Sequence, residues 1–162
     1  MNNTVKEIYV SKNSAPEPMV SVNLINVIAN VGIEGDRYST NSGHWSIAVP
    51  KPDRALTFTP VEMIKNFNSF YNKNLTPELT RRNVLTEGID LSQLVNKTFK
   101  VGGVIAVGTR LNYPCPLLQE LLSEPNMIKD FKENNWHLGL NCIVKQSGSI
   151  QIGDVIEIIN EQ

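Results

Sequence analysis

A cysteine between two prolines is the residue of this sequence best suited to do chemistry. In the segment NYPCPLL, residues 112–118, Cys115 is flanked by Pro114 and Pro116. Each proline fixes its own φ, and Pro116 also biases Cys115 toward an extended conformation. Because Cys115 follows a predicted strand and precedes a helix that Pro116 can begin, the free amides of that helix would favour the thiolate. The pattern predicts a directed, reactive thiol, with a cysteine that only packs at the end of the strand as the alternative.

The second cysteine has a different setting. Cys142 shares one face of a predicted strand with Leu140 and Val144, so we expect it to be a small buried core residue. There is no CxxC pair, and the two cysteines lie in contexts too different to indicate a disulfide framework.

Basic and amide side chains cluster at the ends of predicted elements, where ligands commonly bind. Arg54 begins a strand, and Arg81, Arg82 and Asn83 follow a short helix. Guanidinium forks and an asparagine amide suit phosphate groups and polar heterocycles. The segment GIEGDRY, residues 32–38, resembles a phosphate-binding glycine loop only superficially, because it lacks the lysine and the strand-loop-helix setting of a P-loop.

Other catalytic arrangements have weaker support. A Cys–His hydrolase would combine Cys115 with His44 or His137, with Asp53 or Asn141 to orient the ring. Two histidines without paired metal-ligand spacing do not indicate a structural zinc site, and the GxSxG nucleophile elbow is absent.

Composition and charge limit the possible partners. The chain has 162 residues, of which 41% are hydrophobic and 19% charged, and its formal net charge is −1. This length predicts a single domain over residues 1–162. The balanced charge does not indicate nucleic acid or a membrane surface as a partner. No leader-like segment and no apolar run of about 20 residues is present, so we expect a cytoplasmic protein without a membrane partner.

The predicted elements are mainly strands with a few short helices. Short strands with glycine corners favour a closed or nearly closed β-barrel with the helices packed outside. A capping box at residues 59–62 predicts a helix over 60–71, the long loop 30–52 is typical of a functional or disordered segment, and Ser147–Ser149 is interpreted as a hairpin turn. The remaining predicted strands are 5–11, 19–29 as a strand or hairpin, 54–58, 98–101, 104–107, 109–112, 138–145 and 155–159, and the remaining helices are a short turn from 76, 116–122 and 125–133.

Seven segments, in order, resemble the MOSC domain, the C-terminal domain of molybdenum-cofactor sulfurases, and specifically its stand-alone bacterial members. The resemblance spans nearly the whole chain. The matching segments are GIEGDRY at 32–38, GHWS at 43–46, RALTFTPVEM at 54–63, LTPELTRRNVLTEGIDL at 75–91, FKVGGVIAVG at 99–108, PCPLL at 114–118 and LGLNCIVKQSGSIQIGDVI at 138–156.

The resemblance implies a MOSC-like β-barrel and a role for Cys115. In relatives that reduce N-hydroxylated compounds the matching thiolate ligates molybdenum held by a pterin dithiolene, and in the sulfurase context it is proposed to carry sulfur as a persulfide. Cys115 is therefore the expected catalytic residue and molybdenum ligand. Residues in the matching segments are the expected cofactor-binding residues: Asp36, Arg37, Arg54, Arg81, Arg82 and Asn83.

Two functions follow as expectations from the resemblance. One is a molybdenum-cofactor enzyme that reduces N-hydroxylated substrates with electrons from a donor protein. The other is a non-catalytic carrier of sulfur or cofactor that a cysteine desulfurase would supply. Pyridoxal phosphate is not expected, because the sequence contains no desulfurase domain and no lysine stands out as its Schiff-base partner.

Overall fold

The structure is a computed structural model that describes residues 3–44 and 52–159. Trp45 and Ser46 of the GHWS segment, and the last part of the predicted loop 30–52, lie outside the described residues.

Two sheets make up most of the fold, which confirms the prediction of a mainly β protein with short helices. The larger sheet has eight strands in the order β11-β7-β8-β9-β5-β6-β1-β2, and the smaller has the order β10-β3-β4. The strands are β1 (Thr4–Val10), β2 (Val20–Val22), β3 (Leu24–Ile28), β4 (Gly32–Ile33), β5 (Leu56–Pro60), β6 (Val84–Glu87), β7 (Thr98–Val101), β8 (Val104–Asn112), β9 (Gly139–Gln146), β10 (Gly148–Gln151) and β11 (Ile156–Ile158).

The large sheet is not closed into a barrel, and the prediction of a β-barrel was wrong in this respect. β2 and β11 are its two edges. The start of β1 meets the segment before β11 at a single bridge between Thr4 and Val155, with backbone hydrogen bonds of 2.9 Å from Val5 N to the Asp154 carbonyl and 2.8 Å from Gly153 N to the Val5 carbonyl. Ile156 N also donates to the Asn3 carbonyl at 2.7 Å, but the contact stays a single bridge, and β11 has only three residues.

Three helices pack against the sheets: α1 (Val61–Tyr71), α2 (Pro116–Leu121) and α3 (Met127–Glu133). Helical spacing predicts one apolar face with Met63, Ile64, Phe67, Phe70 and Tyr71. The first three are buried in α1, whereas Phe70 is 53% exposed and Tyr71 is only partly buried. The main apolar cluster lies between the sheets, and in it Phe58 and Phe99 meet edge to face with ring centroids 5.7 Å apart. The helices enclose a second, separate apolar cluster. Short amphipathic helices of this kind depend on tertiary packing for their stability.

β5 and β6 are adjacent parallel strands joined by a segment that contains α1. One cavity lies near each end of this pair of strands. α1 does not begin with the predicted capping box. Pro60 occupies the N-cap position, the Thr59 hydroxyl donates to the Leu138 carbonyl at 2.6 Å, and Glu62 Oε1 accepts from Gly88 N at 3.0 Å. Thr59 and Glu62 thus bond to residues distant in sequence, and neither side chain caps the helix.

Three further local predictions were wrong for similar reasons. The stretch 19–29 forms β2 and β3, which belong to different sheets. The strands predicted at 104–107 and 109–112 are one strand, β8, that changes register after Gly108. Gly148 and Ser149 belong to β10, which pairs with β3, and they do not form a hairpin turn.

Gly139, at the start of β9, provides a test of this packing. A Cβ added there would lie 1.8 Å from the Phe58 carbonyl oxygen, so the two strands would have to separate. We expect Gly139→Ala to lower the free energy of unfolding by about 3 kcal/mol in denaturant titration. Gly103→Ala is the matched control, because its nearest new contact would be an ordinary 3.5 Å, and it should stay within about 0.5 kcal/mol of the unchanged protein. Equal stability of both variants would contradict the described packing of β9 on β5.

Candidate functional site

All five arginines of the chain line one cavity of about 220 Å3. No lysine in the described part of the chain lines it. The cavity lies at the beginning of the parallel strands β5 and β6, where Arg54 and Arg82 are found, and beside the end of β8. Its lining residues are Ser14, Ala15, Arg37, Tyr38, His44, Arg54, Thr57, Arg81, Arg82, Arg110, Asn112, Tyr113, Cys115, Leu117, Leu118, Leu121 and Asn141.

Cys115 lies at this cavity in the conformation that its prolines predict. β8 ends at Asn112, and Cys115 is extended, with φ −110° and ψ 165°, as the N-cap of α2, whose first residue is Pro116. Its side chain is partly buried and packs against the helical apolar cluster. The thiol therefore lies between the arginines and an apolar wall that α2 supplies from Leu117, Leu118 and Leu121.

Arg82 is held in place by two carboxamide side chains. Its Nε donates to Asn112 Oδ1 at 3.0 Å, and Asn112 Nδ2 donates in turn to Asn141 Oδ1 at 2.8 Å. Burial, together with repulsion from Arg37 and Arg110, lowers the pKa of Arg82 to about 10, although Tyr38 and Cys115 act in the opposite direction. Arg82 is therefore still charged at neutral pH, and it lines the same cavity as Cys115.

Arg37 and Arg81 form a second, mutually repelling pair. Arg37 Nη2 donates to the Arg81 carbonyl at 2.9 Å, Arg37 Nη1 lies 3.4 Å from Asp36 Oδ1, and its guanidinium carbon lies 4.8 Å from the centre of the Tyr38 ring. Burial lowers the pKa of Arg81, and the charge of Arg37 lowers it further. Carboxylate and carbonyl oxygens thus hold cations together that would otherwise separate.

Arg110 and Arg54 complete the cationic side. Arg110 Nε donates to Asp53 Oδ2 at 2.9 Å. Asp53 is buried and also accepts from the Thr109 hydroxyl at 3.3 Å. Arg54 is the last residue of the 3₁₀ turn Pro52–Arg54, directly before β5, and the predicted strand start at Arg54 was early by two residues.

Asn83 and Asp36 do not line the cavity, although both are candidate cofactor-binding residues. Their side chains are fully buried. Asn83 donates to the Tyr9 carbonyl at 3.1 Å and accepts from the Thr57 hydroxyl at 3.0 Å, while Asp36 Oδ1 accepts from Ser11 N at 2.9 Å. Both side chains support the cavity wall from behind and do not face a ligand.

Comparison with known proteins identifies the family of this chain. The family model of the MOSC domain matches residues 41–157, which is more than half of the chain. The chain belongs to the MOSC domain family. This family is associated in general with the molybdenum cofactor.

Solved structures similar to this MOSC domain share its fold at low sequence identity. The YuaD protein of Bacillus subtilis is 19% identical, with a TM-score of 0.77 over 100% of this chain and 98% of that one. YiiM of Escherichia coli is 17% identical, with a TM-score of 0.75 over 100% of this chain and 71% of its own. YiiM of Geobacillus stearothermophilus is 16% identical, with a TM-score of 0.72 over 97% and 75%. No curated protein matches the sequence.

The sequence pattern does not single out Arg110 and Asn112 of the MOSC cavity, and it offers Asn141 only as a group that could orient a histidine. Arg110 and Asn141 are cross-strand partners in β8 and β9, so their proximity depends on strand register. The numbers of basic residues contain a usable signal, because a chain with 15 lysines and arginines includes only five arginines. That these five converge indicates selection for guanidinium geometry and not merely for positive charge.

The two histidines proposed as partners of Cys115 are separated by the fold. His44 lines the same cavity as Cys115, whereas His137 lines a different one. A Cys–His pair with His137 is therefore incompatible with this geometry. In residues 3–44 and 52–159 no group of three or more His, Cys, Asp or Glu side chains is arranged to hold a metal, and no helix there is long and apolar enough to cross a membrane.

The excess of guanidinium groups predicts that this cavity binds oxyanions. At constant ionic strength, inorganic phosphate should raise the melting temperature, and Arg82→Gln should weaken phosphate binding about tenfold, because one charge-assisted hydrogen bond is lost. Lys145→Gln removes one exposed positive charge elsewhere and is the matched control. Equal phosphate affinity in Arg82→Gln and Lys145→Gln would contradict an oxyanion site at this position.

The two thiols should differ sharply in reactivity. Cys115 is partly exposed, whereas Cys142 is fully buried, as expected, and burial, aided by the charge of Asp53, raises the pKa of Cys142. Because the thiolate is the reactive form, iodoacetamide should modify Cys115 in the folded protein and Cys142 only after unfolding. Peptide mass spectrometry measures this difference, and early modification of Cys142 would contradict its burial.

Proposed function

We propose that this MOSC domain binds the molybdenum cofactor, with Cys115 as the protein's ligand to molybdenum, and reduces N-hydroxylated substrates. The observation that supports this proposal is that all five arginines line one cavity together with Cys115. Of the two thiols, Cys115 is partly exposed and Cys142 is buried. A soft thiolate suits molybdenum, and guanidinium forks suit a phosphate and a polar ring system.

The side chains present fit such a group without other metal ligands. A pterin dithiolene would supply most of the sulfur ligands itself, so that the protein has to add only one. Arg82, oriented by Asn112, and Arg81 are the groups we assign to the anionic part of the cofactor. Arg37, Arg54 and Arg110 complete the positive field, and Asp36 and Asn83 fix the wall from which Arg37 and Arg81 project.

The reaction needs two electrons and two protons. The N–O bond of the substrate breaks, one proton goes to the nitrogen, and the other joins the hydroxyl group, which leaves as water. The bound cofactor would supply the oxygen-accepting, two-electron chemistry, and an electron-donor protein would have to restore the electrons. The apolar side chains of α2 together with Tyr113 would keep water from the approach to Cys115 and accept the carbon skeleton of the substrate.

A second function is favoured by the partial exposure of Cys115. An accessible thiol beside several cations can hold sulfur as a persulfide and pass it on. In that case the domain would be a carrier that takes sulfur from a cysteine desulfurase, and it would not turn over a substrate itself.

Cofactor analysis tests the proposal. After expression in a host that makes the cofactor, the purified protein should contain molybdenum and pterin in similar amounts. Cys115→Ser should lose most of the molybdenum, because the hydroxyl oxygen is a harder donor. Cys142→Ala is the matched control and should load normally, since this buried side chain does not line the cavity.

Absence of both molybdenum and pterin from the unchanged protein would overturn the enzyme proposal. An added sulfur on Cys115 after incubation with a cysteine desulfurase and cysteine, in protein that binds no molybdenum, would support the carrier function in its place.

A further inference from the structure

A second cavity, of about 430 Å3, lies at the other ends of β5 and β6. Pro60 at the end of β5 and Gly88 just after β6 line it, whereas the arginine cavity lies where these strands begin. The two cavities share no lining residue. Its volume is within the range typical of small-molecule sites.

Aromatic rings form one side of this second cavity. Phe131 and Trp136 meet at 87° with their centroids 5.7 Å apart, so their planes form a corner, and Phe67 of α1 is a further wall. Met63 and Leu91 add apolar surface. Phe131 is almost completely buried and Trp136 is partly buried, so this corner favours an apolar body, and the Trp136 ring is also attractive for a cation.

Two carboxylates, those of Glu62 and Asp90, line the cavity. Glu62 Oε1 accepts from Gly88 N at 3.0 Å, and Asp90 Oδ1 accepts from Ser92 N at 2.9 Å. Each bond engages one oxygen and fixes the carboxylate in place. No lysine or arginine of residues 3–44 and 52–159 lines this cavity, so its charge is complementary to a cation.

His137 has a buried ring nitrogen without a partner. Its Nδ1 makes no hydrogen bond within the described protein, although the ring lines the cavity. Burial lowers the pKa of His137, with Asp90 and the backbone of Gly139 acting in the opposite direction.

We propose that this cavity binds a protonated organic amine with an apolar, preferably aromatic, body. The body would occupy the corner formed by Phe131 and Trp136. An ammonium group has three N–H donors and no acceptor, which matches the two carboxylates of Glu62 and Asp90. An anion would meet the repulsion of these two charges, and a neutral guest would gain no charge attraction from them.

A pair of probes that differ only in the polar group tests this site. Phenethylamine is an ammonium ion at neutral pH, and phenethyl alcohol is its uncharged counterpart. With the purified full-length chain, calorimetry should show the amine binding about fivefold more tightly than the alcohol, the preference that exposed carboxylates and a cation–π contact provide.

Three variants locate the binding. Glu62→Gln keeps an acceptor for Gly88 N and should remove most of the preference for the amine, whereas Trp136→Leu should weaken both probes. Glu34→Gln, an exposed site elsewhere, should change neither affinity. Cys115→Ser should also change neither affinity, so the outcome is independent of cofactor binding in the arginine cavity.

The proposal is overturned if neither probe binds at millimolar concentration, if amine and alcohol bind equally, or if Glu62→Gln leaves their ratio unchanged.

Discussion

Arg82 keeps its charge while partly buried between two other arginines, and the arrangement of the MOSC cavity depends on how this is stabilised. The carboxamide of Asn112 fixes the guanidinium at 3.0 Å, and Asn141 fixes Asn112 at 2.8 Å. Repulsion from Arg37 and Arg110 remains, as the lowered pKa of Arg82 indicates. A cluster of this kind stores unfavourable electrostatic energy that an anionic ligand would relieve.

The order and direction of the strands bring the residues of the arginine cavity together. β5 and β6 are parallel and adjacent, so that Arg54 and Arg82, each two residues before its strand, lie at the same edge of the sheet. β8 ends in the same region, at Asn112. Pro114 and Pro116 then fix the backbone on either side of Cys115, which lines the cavity. Asn83 connects the elements, because one fully buried side chain bonds to β1 and β5 together. Asn83 thus supports the wall from behind, and the adjacent Arg82 lines the cavity.

Features that depend on near neighbours could be predicted from the sequence. The extended Cys115, the helix that begins at Pro116, the buried face of α1 and the burial of Cys142 each follow from residues a few positions apart. Features that depend on distant pairing could not. β11 is too short to close the sheet. Thr59 and Glu62 bond to Leu138 and Gly88 instead of capping α1. Asn141 meets Asn112 only through the register of β8 and β9.

X-ray absorption at the molybdenum edge of the loaded protein tests the central assignment most directly, because it counts the sulfur atoms bound to the metal. If Cys115 is the protein ligand, the unchanged protein has one more molybdenum–sulfur bond than Cys115→Ser that retains some metal. The same sulfur count in both proteins would contradict the account, because molybdenum would then be bound without the thiol that the two prolines hold in place.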